Sequence, residues 1–358
     1  QINDLISSNI KEYGQESIGC LISGQSTSEE LFLFQKIFKG LGIANVDHRT
    51  KESDFHYQDS YPIMPSLGCN LNDLKNYKNI ILVGVNVKTE YPVLSIRLNS
   101  LVKINTKVYS FNFNSLEENF SLHHKKIISH DNIELFLNVN DLSLDNGKTL
   151  IIIGPSVARS FNQSSILKKI SEFSSSIDAN IGFLTEFCNS TSGWLLGNVP
   201  HRELGGGKSE KIGKNSYEMI KSHLSSYIFY NLEPEFDFFN KQDLEHALDK
   251  SKCNIFFTSY VTPMIEKYAD LIIPITTFAE TDGGYINIEG TYQTFQPIVQ
   301  PRKNIHTGWY ALNDILKLNN LGDYSIDGIR SELVSSLDGL DFSAPISNMS
   351  NINVSSNV

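Results

Sequence analysis

Asp47-His48, His56 and the adjacent pair His123-His124 are the histidine-bearing places in this chain that could take a metal ion. Successive residues point to different faces of a strand or helix, so chelation by both His123 and His124 is awkward, and solvated surface histidines account for them. Glu280, Asp282 and Glu289 form an acidic segment able to do general acid–base work, while Asp282-Gly283-Gly284 is equally turn chemistry leading into a strand. Gly205-Gly206-Gly207-Lys208-Ser209 ends like a phosphate cradle. That cradle needs a further glycine five residues before Gly207, and the position holds Arg202, so a flexible surface loop is expected. Ser190 and Ser192 have no Gly-x-Ser-x-Gly elbow around them, which leaves a hydrolase triad without local support. Cys20, Cys69, Cys188 and Cys253 are scattered, lack any Cys-x-x-Cys and sit in or beside apolar runs. Core thiols in a reducing compartment are expected rather than an iron–sulfur cluster, which needs four converging thiolates.

The elements that would position these groups alternate between short β-rich runs and amphipathic helices, the pattern of parallel sheets covered on both faces. Ser17–Ser23 reads as a buried strand; Thr27 and Glu30 form a capping box; Leu31, Phe34, Phe38 and Leu41 follow at helical spacing. A short strand ends at Val46-Asp47. Asn79–Val85, a helix opened by Pro92, and Lys107–Phe113 make a Rossmann-like unit. Its turn, Gly84-Val85-Asn86-Val87-Lys88-Thr89, keeps one of the three glycines a dinucleotide needs, which argues against NAD. Thr149–Pro155 resumes the sheet pattern, a helix runs through Ile166–Ser176, and strands follow at Asn180–Leu184, Ser226–Tyr230, Asn254–Thr258 and Asp270–Pro274. Between them lie a glycine-rich loop, Gly193–Gly213, and a helix around Asp243–Lys250; the last helix is Trp309–Leu318.

Composition narrows the function classes. With 358 residues, 40% hydrophobic and 20% charged, the chain is long enough for two or three domains with a large core. A formal charge of −10 with no basic run argues against a nucleic-acid binder, which must replace counterions on phosphates. No apolar run approaches the roughly 20 residues that cross a bilayer. The start at Gln1 without a signal peptide leads us to expect a piece of a longer reading frame.

The segment Tyr268-Ala269-Asp270-Leu271-Ile272-Ile273-Pro274, followed by Glu280-Thr281-Asp282-Gly283-Gly284-Tyr285-Ile286-Asn287-Ile288-Glu289-Gly290, resembles the molybdopterin oxidoreductase superfamily. There an Ala-Asp strand ending in Pro leads to Glu-x-Asp-Gly-Thr and Asn-x-Glu-Gly-Arg; this chain departs at Tyr285 and Thr291. The likeness continues from Pro301 to Trp309 and covers nearly the whole chain to about residue 320. Within the superfamily, Asn45-Val46-Asp47-His48-Arg49, Gly193-Trp194-Leu195-Leu196-Gly197-Asn198-Val199-Pro200-His201-Arg202 and Asn231-Leu232-Glu233-Pro234 resemble the large iron–sulfur (G) subunit of bacterial NADH:quinone oxidoreductase, respiratory complex I. Catalytic relatives carry a Cys or selenocysteine metal ligand a few residues after Asn-x-Asp, and here no Cys occurs between Cys20 and Cys69.

The resemblance implies an α/β fold of two Rossmann-like parallel-sheet domains, one inserted in the other. Residues 1–49 and 149–342 would form the discontinuous domain, 50–148 the inserted one, and Ser/Asn-rich residues 343–358 a disordered tail. It further implies a scaffold that has lost the pterin cofactor, with no catalytic, cofactor-binding or metal-ligating residue in this stretch. Electron transfer would run through 2Fe-2S and 4Fe-4S clusters of a preceding cysteine-rich region. Partners would be other hydrophilic-arm subunits, with membrane contact only through the complex, on the cytoplasmic face of the plasma membrane. The second reading is a truncated catalytic enzyme, formate dehydrogenase-like, with Ser53 or Asp54 as metal ligand; the third is a stand-alone interaction domain.

Overall fold

A computed structural model of the protein describes residues 2–129, 142–302 and 304–337. The chain opens with α1 (Ile2–Tyr13), β1 (Ile18–Ile22), α2 (Ser28–Gly40) and β2 (Val46–Asp47). It then builds β3 (Asn79–Val83), α3 (Val87–Glu90), α4 (Pro92–Val102), β4 (Lys107–Asn112), β5 (His124–Ile127), β6 (Thr149–Ile153), α5 (Pro155–Ala158), α6 (Gln163–Ser176) and β7 (Asn180–Phe183). After that come α7 (Ser190–Leu195), α8 (Ser216–Ser222), β8 (Ser226–Tyr230), α9 (Lys241–Lys250), β9 (Cys253–Thr258), α10 (Pro263–Tyr268) and β10 (Leu271–Pro274). A hairpin of β11 (Gly283–Ile286) and β12 (Tyr292–Phe295), then α11 (Gly308–Leu318) and α12 (Ile326–Ser336), complete it.

These elements form two units. The first takes the described residues of Gln1–Glu52, Phe187–Ile286 and Tyr292–Asp341; the second takes those of Ser53–Glu186 with Asn287–Thr291. The first unit holds a parallel sheet in the order β10-β9-β8-β1-β2, the second a parallel sheet in the order β5-β4-β3-β6-β7. Central strands read as unbroken apolar runs because both faces are covered: every residue of β1, β3, β6 and β8 is buried. In the second unit Ile81, Val83, Ile151, Ile153 and α6's Ile166 and Ile170 make one layer, and Ile80, Leu82, Ile152 with α4's Leu94 and Leu98 make the other. No helix among the described residues is long and apolar enough to cross a membrane.

The α/β class of two parallel-sheet units is observed, with a different boundary from the one expected at 50–148. Thr149–Ile153 pairs residue for residue with Asn79–Val83, so β6, α6 and β7 belong to the second unit, which runs to Glu186. Strand periodicity marks a strand as buried but does not identify its neighbour. The stretch 343–358 lies outside the described residues.

Each sheet has one topological switch point, where α/β folds commonly bind ligands: between β1 and β8 in the first unit, and between β3 and β6 in the second. The second is closed by backbone. Gly154 N–H donates to the Val83 carbonyl at 2.8 Å and Ser156 N–H to the Gly84 carbonyl at 3.0 Å. Gly84 adopts φ +63°, a conformation that favours glycine. A Cβ on Gly154 would fall 2.5 Å from the Gly84 oxygen and 2.7 Å from Val85 Cα, so nothing larger fits. Gly154→Ala is therefore expected to lower the unfolding free energy by about 2 kcal/mol or more, read from urea denaturation.

Candidate functional site

At the carboxyl end of the first unit's sheet, the loop after β1 and the first turn of α2 form a fully buried polar centre. Thr27 and Glu30 close the capping box: Thr27 N–H donates to Glu30 Oε2 at 2.8 Å, and Glu30 N–H to Thr27 Oγ1 at 3.2 Å. Glu30 Oε1 accepts the Tyr230 hydroxyl at 2.8 Å. Burial pushes the Glu30 carboxyl up despite these bonds, and the Tyr230 phenol rises further beside it. Its neighbour Glu29, 0% exposed, accepts Gly284 N–H at 2.8 Å, the Tyr292 hydroxyl at 2.7 Å and Arg330 Nε at 2.8 Å.

A second buried group follows β2. Asp47 and Arg49 form a side-on ion pair, with Nε to Oδ1 and Nη2 to Oδ2 both 2.8 Å, and Asp47 Oδ2 also accepts Ser216 N–H at 3.0 Å. Burial would raise the Asp47 carboxyl, but the Arg49 guanidinium holds it below the usual carboxylate range. The Arg49 and Arg202 guanidinium groups lie against the Trp194 ring, 4.8 and 5.3 Å from its centroid. His48 and His201 meet the same indole edge-on. His48 Nδ1 bonds the Asn198 carbonyl at 2.8 Å. Burial lowers His48 to about 4, and burial together with Arg49 and Arg202 lowers His201 to about 3.

The acidic motif turns out to be scaffold. Glu280 accepts Thr277 N–H and Oγ1–H, tying its own turn. Asp282 accepts the Trp309 indole N–H at 2.9 Å. Gly283 and Gly284 have no room for a Cβ, which would run into Thr27 and Tyr292 respectively. In the second unit Asn287 Oδ1 accepts Glu289 and Thr291 N–H, and Glu289 accepts Leu71 N–H at 2.6 Å. The three carboxylates thus accept four backbone and side-chain donors of the protein in three separate places.

Most of the remaining places that the sequence singles out have partners within the protein. Asp54 takes Ser164 N–H and Oγ–H, both at 2.7 Å, in the first turn of α6, and His56 Nδ1 at 2.9 Å. Burial would raise its carboxyl; the Ser164 bonds hold it low. Ser53 is half-buried in the same segment. His123 stands edge-on to Tyr109 and His124 tilts on Phe111. Ser192 bonds Ser28 and Asn189. The Gly205–Ser209 segment is not loose: Glu203 N–H reaches the Gly207 carbonyl, Gly206 N–H the Glu203 carbonyl, and Ser209 Oγ the Glu203 carboxylate. Cys20 and Cys253 are buried in β1 and β9, where burial lifts their thiols, whereas Cys69 is half-buried and Cys188 exposed, so these two are not the core thiols expected. Among the described residues no three His, Cys, Asp or Glu side chains converge on a metal position.

A pterin-held metal finds no fitting residues inside the first unit. The loop after β1 is filled from above: a Cβ on Gly24 would sit 2.5 Å from Ser190 Oγ, Asn189 N–H bonds the Gly24 carbonyl, and Asn189 Nδ2 bonds the Ser26 carbonyl. Beside the α2 N-terminus, Ser192 Oγ of α7 lies 2.8 Å from Ser28 Oγ. Sequence reasoning missed the buried Glu29 and, separately, the gathering of Arg49, Arg202 and His201 around Trp194. Glu29 stands in a Thr-Ser-Glu-Glu sequence that reads as an ordinary solvent-facing first turn.

Comparison with known proteins follows the same lines. The family model described as molybdopterin oxidoreductase matches residues 1–318. The NADH-ubiquinone oxidoreductase 78 kDa subunit, mitochondrial, of Candida albicans is 24% identical over 303 residues, 82% of this chain and 38% of that protein. The nitrate reductase of Shewanella frigidimarina is 32% identical over 111 residues, 29% of this chain and 12% of that one. The chain thus spans well under half the length of these curated relatives. The solved acetylene hydratase of Pelobacter acetylenicus superposes with a TM-score of 0.59 at 11% identity, over 89% of this chain and 57% of that one, which supports the fold.

The two neutral, buried imidazoles give stability a defined pH dependence. Their folded pKa values lie below the ordinary 6.5, so the unfolded chain takes up protons first as pH falls. The contribution is complete above pH 6.5 and drains away toward the folded values of about 4 and 3. At pH 5 each histidine should have cost about 2 kcal/mol of stability. Urea midpoints across that range should fall steeply for the native chain and less steeply for His201→Gln.

Proposed function

The chain belongs to the molybdopterin oxidoreductase family, and we propose that within it the chain acts as a scaffold domain of a respiratory NADH:quinone oxidoreductase subunit, without chemistry of its own. The observation that carries this reading is the state of the residues after β2. Asp47 is consumed by Arg49 and Ser216, and Asp54 by Ser164 and His56, where a catalytic relative would need a free metal ligand. A redox centre that turns over substrate also needs a proton acceptor beside it. The carboxylates of the acidic motif are each held by structural donors, and burial lowers His48 to about 4 and His201 to about 3, which makes both weak bases near neutral pH.

Support from relatives is coarse but points the same way: the mitochondrial 78 kDa subunit aligns over most of this chain, whereas the nitrate reductase aligns over less than a third. In this reading electrons pass through iron–sulfur clusters carried elsewhere in the subunit, and this domain holds the subunit together beside its neighbours on the cytoplasmic side of the membrane. The other reading is a truncated catalytic molybdenum or tungsten oxidoreductase, favoured by the family and by the 32% identity to the nitrate reductase of Shewanella frigidimarina over 111 residues.

Native purification separates them. The chain should comigrate at high mass with NADH dehydrogenase activity in a native gel. Elemental analysis of the same band should find iron without stoichiometric molybdenum or tungsten. One molybdenum or tungsten per chain together with an extractable pterin would overturn the assignment.

A further inference from the structure

The carboxyl ends of three neighbouring strands in the first unit, β8, β9 and β10, carry a row of exposed apolar side chains that no part of the described protein covers. Phe236 follows β8, Tyr260 and Val261 follow β9, and Phe278 follows β10, the last 77% exposed. Ile298, 86% exposed, and Val299 join Phe278 through the bonds that both of their N–H groups make to the Ala279 carbonyl. Singly exposed apolar residues are ordinary; six on adjoining loops of one sheet end form a patch of the kind that marks an interaction site.

The loops are rigidly tied to each other, so the patch is preorganised. Glu235 bridges the β8 and β9 loops by accepting the Thr262 hydroxyl at 2.7 Å and Met264 N–H at 2.8 Å. Ser259 Oγ donates to the Thr276 carbonyl at 2.8 Å, joining the β9 and β10 loops. Thr258 Oγ1 accepts Tyr260 N–H at 3.1 Å and donates to the Tyr260 carbonyl at 2.7 Å, fixing that turn. A partner would order little on this face at binding, which favours affinity.

Charge says what kind of partner. The four loop segments 233–237, 259–266, 276–282 and 296–302 contain Glu233, Glu235, Glu266, Glu280 and Asp282 against the one cation Arg302, with Lys303, Lys267 and Lys241 outside them, while Asp237 is buried and faces Lys51 at 3.9 Å. An acidic fringe around apolar side chains repels nucleic acid and anionic lipid and attracts a cationic chain. We propose that this row is a docking surface for a basic amphipathic segment of a partner protein, in which Leu, Ile or Phe side chains cover Phe236, Tyr260, Phe278 and Ile298 while flanking Lys or Arg meet the carboxylates. The proposal stands on this surface and does not need the complex I reading.

The test uses the whole chain with two labelled helical peptides of equal hydrophobicity, one built from Lys and Leu, the other from Glu and Leu, and fluorescence anisotropy as readout. The Lys/Leu peptide should bind at least about tenfold more tightly than the Glu/Leu peptide and weaken at least about tenfold between roughly 50 and 300 mM salt. Phe278→Ser with Ile298→Ser should reduce its affinity about tenfold or more at an unchanged melting temperature. Should that pair disturb folding, Glu266→Lys gives an independent reading: it should weaken the Lys/Leu peptide and strengthen the Glu/Leu one. Equal affinity for the two peptides, or binding indifferent to both sets of substitutions, would overturn the proposal. So would neutral phosphatidylcholine vesicles, or a second copy of the chain detected by sedimentation, engaging Phe278 and Ile298 in the peptide's place.

Discussion

Two adjacent carboxylates, Glu29 and Glu30, are buried at the first turn of α2, and much of the first unit is arranged to satisfy them. An unpaired buried carboxylate costs several kcal/mol, so each must collect donors from wherever the fold can bring them. Glu30 is served locally by Thr27 and from β8 by Tyr230. Glu29 is served from far away in sequence: the backbone of Gly284 in β11, the hydroxyl of Tyr292 in β12 and the guanidinium of Arg330 in α12. One helix turn therefore fastens the sheet, the hairpin and the last described helix together. Lys36 on the same helix adds bonds to Tyr324 and Glu332.

This constraint explains the glycine pair of the motif better than catalysis does. For Gly284 N–H to reach Glu29 Oε2, the β11 backbone must run against Thr27 and Tyr292, where a Cβ at Gly283 or Gly284 has no space. Asp282, one residue earlier, is turned toward Trp309 and anchors the start of α11. The Asp-Gly-Gly signature is thus a set of packing requirements around a buried charge. The same logic runs through the second polar group. Asp47 neutralises Arg49, Trp194 offers its ring to two guanidinium groups, and His48 and His201 stay uncharged among them. Functional carboxylates normally present a free atom to a cavity; here the carboxylates of Glu29, Asp47, Glu280 and Asp282 accept donors of the protein itself.

Local features were legible in the sequence because their causes are local. The capping box at Thr27 and Glu30 and the helix opened by Pro92 depend on residues within one turn, and they appear as read. Buried strands at Ile18–Ile22, Asn79–Val83 and Ser226–Tyr230 follow from unbroken apolar runs. What depends on distant partners was not legible. No pattern around Thr149 says that it pairs with Asn79, and none around Arg330 says that it meets Glu29, 301 positions away. Short helices such as α7 and α10 also escaped, since Ser190–Leu195 lies across the start of the glycine-rich Gly193–Gly213 stretch and Pro263–Tyr268 makes fewer than two turns.

The contrast between the interior and the rim of the first sheet bears on function. At the switch point between β1 and β8, where a ligand would be expected, Gly24 has no free space and Asn189 and Ser190 close over the strand ends. Farther along the same carboxyl edge, at β8, β9 and β10, the loops are equally well tied yet leave Phe236, Phe278 and Ile298 in solvent. The first unit thus fills the crevice at its switch point with its own side chains and leaves its exposed apolar groups at the neighbouring rim, where the proposed docking surface lies. Exposed aromatic area is costly to maintain in water, and loops tied to hold it there are the physical ground for the proposed docking surface.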